Sequence, residues 1–318
     1  MRTTLTSLVT VLLVGVLTSA AGGQVVYHAS AAVPPPAEVS ELHAGEDNPT
    51  QTQIGDAIGN TNQVFLFDSN GVYSGTSYAQ LGTAYTASFG YRDGASDGTH
   101  VYFGWEDGVA RHDADGSNGV ILFDGTNQPG SAWRGLAYDP TGNAGDGSLW
   151  SIDWSSELVE VDLSGNVLTT FPNTSASPWA TVYGLAYDAT DGNLWASSQA
   201  DPAHIIKIST SLGQVISGAG WPMANPPFDP AADYEGGLSG LRDGSGDLAY
   251  INQNVALISD EMCVYDTSGT IVGGVWDLTT QTGSIYHLGV AVTPEPATMT
   301  VLGIGAIAVL ARRRRRRT

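Results

Sequence analysis

The stretches "GLAYDPTGNAGDGSLW" (residues 135–150) and "GLAYDATDGNLW" (residues 184–195) decide the fold of this chain. Each begins with a short apolar strand that ends in aspartate. An Asp-Gly turn follows, and then a second strand that ends in tryptophan. Self-similarity at a spacing near 50 residues is typical of proteins built from repeated β-sheet units. The pair therefore predicts a repeat architecture.

Two hallmarks of this unit recur along the chain. One is a polar hairpin turn, in which Asp or Ser bonds forward to turn amides and Gly takes a positive φ. The turns begin at Asp68, Asp113, Asp162, Ser209 and Asp266. The other hallmark is a leading strand with a glycine, and these glycines are Gly90, Gly135, Gly184, Gly237 and Gly289. Short β-branched and aromatic runs separate them, so the body is predicted to be all-β.

Five repeats of about four short strands predict a single β-propeller with five blades. The first hallmark along the chain is the hairpin at Asp68, and the last is the leading strand at Gly289. Neither alone completes a blade, so we expect N-terminal strands to join a C-terminal strand in a composite blade. The pattern does not place that blade's second strand within residues 46–60, and six blades stay open. A β-sandwich is the alternative fold.

The two ends of the chain have the composition of sorting segments. Residues 1–23 have a basic start, an apolar run and small residues, the layout of a secretory signal peptide. An Ala/Pro-rich leader is expected over residues 24–40, the propeller over 41–293 and a sorting tail over 294–318. Residues 297–311 are uncharged, and as a helix they would span about 22 Å, which is short for a membrane span.

The tail resembles the PEP-CTERM sorting signal of Gram-negative bacteria. It has the motif Pro294, Glu295 and Pro296, then the apolar helix, then a basic cluster of Arg312, Arg313, Arg314, Arg315, Arg316 and Arg317. Thr293 stands where that family usually has valine. The resemblance implies an exosortase-type membrane protease as partner, with the arginines as a cytoplasmic stop. It also implies a transient inner-membrane anchor, then a place at the cell surface or in an extracellular matrix, with exopolysaccharide as a candidate partner.

The repeats resemble those of kelch, NHL and gluconolactonase-like propellers, a likeness that implies the fold and no particular activity. We expect an acidic binding or structural module at the cell surface. A secreted propeller enzyme acting on sugars or lactones is one alternative. A calcium-stabilised adhesion module is the other.

Two sets of carboxylates are candidate sites, and no residue receives a catalytic role. Asp113, Asp115 and Ser117 have the spacing of the start of a calcium loop, although Asn118 stands where such a loop needs glycine. Asp139 and Asp188 close the GLAYD strands and are candidates for a ligand at the channel mouth. Calcium is thus the candidate cofactor, although the sequence favours a plain hairpin turn for the first set and strand-end caps for the second.

The aromatic residues are assigned by position in the repeat. Trp150 and Trp195 recur at equivalent places, which favours packing between blades. The tryptophans near polar turns are candidates for an exposed aromatic platform: Trp105, Trp133, Trp154, Trp179 and Trp221. The single Cys263 lies in a strand-like run and is interpreted as a small buried hydrophobe.

Charge narrows the partners further. The chain has a formal net charge of −20, and six of its 12 basic residues are the terminal arginines. Residues 3–294 carry five basic against 31 acidic side chains, a difference of −26. A surface of this sign repels phosphate backbones, so nucleic acid is excluded as a partner.

This charge predicts that salt stabilises the protein. Folding brings many carboxylates together, and about 0.15 M salt shortens the range of their repulsion to about 8 Å. We expect the melting temperature to rise with sodium chloride and to rise only slightly more with calcium at matched ionic strength. A calcium-specific gain of many degrees that Asp113→Ala abolishes would contradict this and favour the adhesion module.

Overall fold

The computed structural model describes residues 39–46, 62–68, 71–85, 90–124, 133–173, 179, 181–198, 204–222, 234–240, 247–254, 259–272, 274–282 and 287–294. Its strands are β1 (Val39–Glu46), β2 (Gln63–Asp68), β3 (Tyr73–Ala79), β4 (Asp93–Ser96), β5 (His100–Trp105), β6 (Gly108–Asp113), β7 (Val120–Asp124), β8 (Gly135–Asp139), β9 (Ser148–Ile152), β10 (Leu158–Asp162), β11 (Val167–Phe171), β12 (Val182–Asp188), β13 (Asn193–Ser198), β14 (His204–Ser209), β15 (Gln214–Pro222), β16 (Tyr234–Gly240), β17 (Leu248–Asn254), β18 (Ser259–Tyr265), β19 (Trp276–Asp277) and β20 (His287–Pro294). One short helix, α1 (Leu278–Thr282), and two 3₁₀ turns, Gly82–Tyr85 and Asn143–Gly145, complete the described elements. The prediction of an all-β body is confirmed.

The strands of the described residues form five four-stranded antiparallel sheets. Blade 1 is β4–β7, blade 2 is β8–β11, blade 3 is β12–β15 and blade 4 is β16–β19, each in chain order. Blade 5 has the order β20-β1-β2-β3. The first strands of the five blades (β4, β8, β12, β16 and β20) contact one another in a ring. The arrangement is a β-propeller, as the repeats predict.

Blade 5 joins the two ends of the described chain. β20 pairs with β1 in an antiparallel register that places Gly289 opposite Gly45 and Pro294 opposite Val39. The second strand of this blade, which the sequence pattern leaves unplaced, is therefore β1 (Val39–Glu46). It shares only residue 46 with the stretch 46–60, and its first two residues belong to the predicted leader 24–40. Because N-terminal and C-terminal strands share one sheet, the ring has no open end at the chain termini.

The hairpin hallmark lies where the third strand of each blade turns into the fourth. In blade 2, Asp162 Oδ1 accepts hydrogen bonds from the backbone N–H groups of Ser164 (2.8 Å) and Asn166 (2.9 Å). Gly165 has a φ of +84° in this turn. Asp266 and Gly269 repeat the arrangement in blade 4. The local chemistry predicted for the turn is confirmed.

The hydrophobic core is divided into five clusters, each between two neighbouring blades. Trp150 of blade 2 packs with Leu185 and Ile206 of blade 3. Trp195 of blade 3 packs with Tyr250 of blade 4. The other clusters join blades 4 and 5, blades 5 and 1, and blades 1 and 2. Trp150 and Trp195 therefore pack between blades, as predicted.

The prediction of an exposed aromatic platform is wrong for three tryptophans. Trp105, Trp133 and Trp179 are 1%, 2% and 2% exposed, because each ring fills a cluster between blades. Trp221 is half-buried against Trp195, with ring centroids 5.1 Å apart. Trp154 alone of the five candidates is an exposed large side chain, at 40%.

Other sequence predictions have a simple outcome. Cys263 is fully buried in strand β18, and burial raises the pKa of its thiol, as expected of a small hydrophobe. The signal peptide, the apolar stretch 297–311 and the arginine cluster lie outside the described residues. None of the described helices has the length and apolar composition that crossing a membrane requires.

The β1–β20 register predicts a specific cross-link. His43 and Ala291 are Cα partners, and directly opposite residues have Cβ atoms about 4.5–5.5 Å apart, near disulfide distance. We expect His43→Cys with Ala291→Cys to oxidise spontaneously and to raise the free energy of unfolding by about 2–4 kcal/mol. Non-reducing electrophoresis and urea unfolding, each with and without dithiothreitol, measure the two effects.

The matched control pairs His43→Cys with Val292→Cys. A shift of one residue places the two cysteines on opposite faces of the sheet, so this pair should stay reduced. Equal oxidation of both pairs, or of neither, would contradict the observed closure.

Candidate functional site

The centre of the ring is organised around the start of the five innermost strands. Ala95, Ala137 and Ala186 are equivalent, since they pair with Tyr102, Trp150 and Trp195 at the same place in their blades. Two residues earlier stand Asp93, Gly135 and Gly184. Asp93 therefore occupies the position that is glycine in the GLAYD repeats. The sequence prediction that Gly90 is the equivalent residue in blade 1 is wrong by three positions.

The carboxylate of Asp93 ties blade 1 to three other blades. Its Oδ2 accepts hydrogen bonds from the backbone N–H groups of Leu136 (2.8 Å) and Leu185 (2.7 Å). Its Oδ1 accepts from the backbone N–H of Leu238 (3.0 Å). Each donor follows the glycine of its own strand, so the three equivalent amides of blades 2, 3 and 4 converge on one side chain. Asp93 is 0% exposed and closes the channel in this layer.

The glycines are required because neighbouring strands approach closely here. A Cβ on Gly184 would lie 2.5 Å from the backbone nitrogen of Leu238, which is one of the donors to Asp93. A Cβ on Gly289 would lie 3.3 Å from the backbone nitrogen of Asp93 itself. One carboxylate and no other side chain therefore fits comfortably in this layer.

Burial and hydrogen bonding act on Asp93 in opposite directions. Desolvation raises its pKa well above the ordinary aspartate range. The backbone N–H groups of Leu136, Leu185, Gly94 and Leu238 favour the charged form and oppose that rise. Since every polar contact of the carboxylate is with a donor, the side chain serves as an acceptor for the ring.

A cavity of about 140 Å³ opens where the innermost strands of blades 1 to 4 end. Its floor contains Gly94, Leu136 and Leu185, the layer next to Asp93. Its walls are mostly small or aromatic: Ala95, Ala137, Ala186, Tyr138, Tyr187, Pro140, Ala189, Thr190, Ser96, Ser239, Gly240 and Asp247. Asp93 is fully buried and does not line the cavity, which begins at the next residue, Gly94.

Asp139 and Asp188 end the strands at this mouth but each is held in its own turn. Asp139 Oδ1 accepts from the backbone N–H of Thr141 (2.7 Å) and from its hydroxyl (2.8 Å). Asp188 Oδ2 accepts from Trp195 Nε1 (3.0 Å) and from Lys207 Nζ (2.6 Å). Asp188 Oδ1 accepts from the backbone N–H of Thr190 (2.9 Å) in the turn. Burial opposes ionisation of Asp188, and the hydrogen bonds from Lys207 and Thr190 together lower its pKa. The geometry is that of strand-end caps.

Blade 1 has a third strand-end aspartate that the sequence pattern does not indicate. Asp97 is the blade 1 equivalent of Asp139 and Asp188, two residues after Ala95, and it lacks the GLAYD context. Its Oδ2 accepts from Tyr102 Oη (2.7 Å) and lies 3.0 Å from His100 Nδ1. All three carboxylates therefore stabilise the turn between the first and second strands.

The calcium-like loop is a hairpin in the structure. Asp113 Oδ2 accepts from Asn118 Nδ2 (2.7 Å), and Asp115 Oδ1 accepts from the backbone N–H of Ser117 (2.9 Å). Asn118 has a φ of +49°, in the conformation that the other turns give to glycine. Among the described residues no group of three or more His, Cys, Asp or Glu side chains is placed to hold a metal.

The sorting motif continues directly from β20. This innermost strand of blade 5 ends at Pro294, and a family model for the PEP-CTERM protein-sorting motif matches residues 292–316. The chain carries a PEP-CTERM sorting motif. Because the match begins within β20, the motif follows the propeller without an intervening segment.

Several solved structures are similar to this chain, and their sequence identity to it is low. A nidogen/laminin complex is 12% identical, with 80% of this chain and 98% of that chain covered and a TM-score of 0.46. A gluconolactonase from Xanthomonas campestris is 14% identical, with 82% and 85% covered and a TM-score of 0.44. A protein of unknown function from Bacteroides caccae is 12% identical, with 81% and 100% covered and a TM-score of 0.44. No curated protein matches the chain.

The Asp93 contacts predict a large effect of a small substitution. Asp93→Ala leaves three buried amides without their acceptor, and Asp93→Asn directs an NH₂ group at one or more of them. Each unsatisfied donor costs about 1–3 kcal/mol, so either variant should lose about 3 kcal/mol or more of unfolding free energy. Urea unfolding measures the loss.

The exposed Asp146 provides the matched control. Asp146→Asn makes the same substitution outside the ring, and its effect should stay within about 0.5 kcal/mol. If Asp93→Asn is as mild as Asp146→Asn, the carboxylate does not hold the ring together.

Proposed function

We propose that this chain is an exported protein, processed by an exosortase-type membrane protease of a Gram-negative cell, whose acidic propeller is a binding or structural module associated with exopolysaccharide. The observation that carries the proposal is the PEP-CTERM motif at residues 292–316, since such a motif implies export and processing at the membrane with a surface fate. The signal peptide over residues 1–23 and the leader over residues 24–40 belong to the same proposal.

The position of the motif fits a protein that is held at the membrane and then released. The apolar residues 297–311 would anchor the chain transiently in the inner membrane, and Arg312–Arg317 would keep its end in the cytoplasm. Because β20 ends at Pro294, the protease would act next to a folded blade.

A binding role is supported over catalysis because the carboxylates of the channel are hydrogen-bonded to the protein's own donors. Asp93 is occupied by backbone donors, and Asp97, Asp139 and Asp188 accept hydrogen bonds from the backbone N–H groups of their own turns. A structural module needs such a rigid ring, whereas a hydrolytic site needs polar groups directed at a substrate.

The sorting step predicts that Glu295→Ala blocks removal of the tail. Immunoblots of membrane and released fractions should show a shortened wild-type protein outside the membrane and an intact variant within it. Deleting residues 297–318 should release the protein from the membrane fraction altogether. Glu157→Ala, an exposed glutamate of blade 2, is the control and should behave as wild type. The sorting proposal fails if the tail persists equally in wild type and Glu295→Ala.

A further inference from the structure

Two arginines lie at the other mouth of the channel, where the innermost strands begin. Arg92 and Arg134 each precede the residue that starts the ring layer, Asp93 in blade 1 and Gly135 in blade 2. Tyr183 holds the same position in blade 3, and the guanidinium carbon of Arg134 lies 5.9 Å from the centre of its ring. Two of the five basic residues in positions 3–294 are therefore gathered at one end of an acidic protein.

An exposed tryptophan stands beside them. The guanidinium carbon of Arg134 lies over the ring of Trp154, 4.8 Å from its centre, so a sugar would contact the part of the indole that Arg134 leaves uncovered, and Trp154 is 40% exposed. Trp154 lies in the loop between the second and third strands of blade 2. An exposed indole has an apolar face and a polar edge, the combination that suits the C–H faces of a sugar ring.

The backbone holds this tryptophan in an unfavourable conformation. Trp154 has a φ of +52°, and its neighbour Thr181 a φ of +50°, a region that bulky and β-branched residues rarely adopt. Trp154 is fixed by two backbone hydrogen bonds of 3.0 Å to Val182, the first residue of β12. Strain that the surroundings enforce in this way is a feature of functional loops.

Side chains from blades 2 and 3 brace the same loop. Asn173 Nδ2 donates to the carbonyl of Ser155 (2.9 Å) and to that of Trp179 (2.7 Å). Trp179 Nε1 donates to the carbonyl of Ser156 (3.0 Å). The indole of Trp154 is therefore presented on a rigid support, which lowers the entropy that a ligand must overcome.

The group at this mouth that could hold an anion is the guanidinium of Arg134. Arg134 is paired through Nε with Asp153, and its side chain is 22% exposed. Within the described ranges its other contacts are the rings of Trp154 and Tyr183, so its terminal nitrogens have donors left for a ligand. Burial lowers the pKa of Arg134, and the nearby charge of Arg92 lowers it further. Asp153 already acts on both arginines, and Glu106 lies close to Asp153. Arg92 is only 3% exposed, so an incoming carboxylate would be held by the terminal nitrogens of Arg134.

We propose that this mouth binds a uronic-acid residue of an acidic polysaccharide, with the sugar carboxylate on the guanidinium of Arg134 and the sugar ring on the indole of Trp154. The inference rests on the proposed function and names the chemistry that the module recognises. Residues 3–294 carry a net charge of −26, and this charge limits how closely acidic sugars can follow one another in the polysaccharide. A polymer charged at every residue would be repelled by the body, so the acidic sugar is flanked by neutral ones.

The test uses the full-length chain in mild detergent and isothermal titration calorimetry. The probe is a xylotriose that carries one glucuronic acid, compared with its methyl ester and with trigalacturonate. We expect the acid form to bind about tenfold or more tightly than the ester, because one charge-assisted contact is lost. Trigalacturonate should bind more weakly than the single acid at low salt and approach it as salt is added.

Two variants separate the contacts. Arg134→Gln with Asp153→Asn keeps the buried pair neutral and should remove the difference between acid and ester. Trp154→Asn removes the indole, and asparagine suits the positive φ, so this variant should bind both ligands about tenfold more weakly with an unchanged or higher melting temperature. Arg111→Gln and Tyr85→Ala are matched controls outside the mouth and should bind as wild type does.

Equal affinity for acid and ester, or variants that bind as wild type does, would overturn the site. Cell experiments distinguish this from failure of the proposed function. If the protein is sorted and retained by the matrix in wild type and in Trp154→Asn alike, the function stands and the site is wrong. If the wild-type tail is never removed, the sorting proposal is wrong whatever the calorimetry shows.

Discussion

The carboxylate of Asp93 is the interaction on which the geometry of the propeller depends. In a ring of blades, the innermost strands have no partner on the channel side, so their N–H groups need another acceptor. Asp93 supplies this acceptor to Leu136, Leu185 and Leu238, residues 43, 92 and 145 positions away in sequence. Glycine in the GLAYD repeats provides the room, since a Cβ on Gly184 would meet Leu238. The same contact that ties four blades together also blocks the channel, so binding has to occur at its mouths.

Around Asp93, the hydrophobic contacts that stabilise the fold are distributed over all the boundaries between neighbouring blades. Each of the five hydrophobic clusters lies between two blades, so a blade has little core of its own and needs both neighbours. Such a ring is stable only when it is closed, and the pairing of β20 with β1 closes it. The C-terminal strand that carries structural closure is also the strand from which the sorting motif continues. Folding of blade 5 and presentation of Pro294 to a protease are therefore linked through a single strand.

Local chemistry made the fold predictable, and convergence in space made the site hard to predict. The Asp-Gly hairpins, the tryptophans of the second strands and the phase shift between the chain ends are all contained in short stretches, so the sequence indicates them. The glycine pattern predicts Gly90 in blade 1, three residues before the true equivalent Asp93, because the role of Asp93 depends on amides from three other blades, which no local pattern records. Polar turns flank Trp105, Trp133 and Trp179 and predict exposed rings, whereas the neighbouring blade covers each one. The repeat pattern does not indicate β1, because this strand lies before residues 46–60 and carries neither hallmark of the repeat.

The few cations of this acidic protein show how a negative body can still recognise an anion. Lys207 lies between Asp188 (2.6 Å) and Asp191 (2.7 Å) and is committed to the fold. Arg134 has one paired carboxylate, lies over the exposed ring of Trp154 and keeps a side chain that is 22% exposed, so its guanidinium can still meet an anion at short range. Long-range repulsion falls off over the Debye length of about 8 Å near physiological salt, while a hydrogen-bonded contact persists. The balance admits an isolated carboxylate on a neutral chain and rejects a densely charged polymer, which gives the protein selectivity by charge spacing.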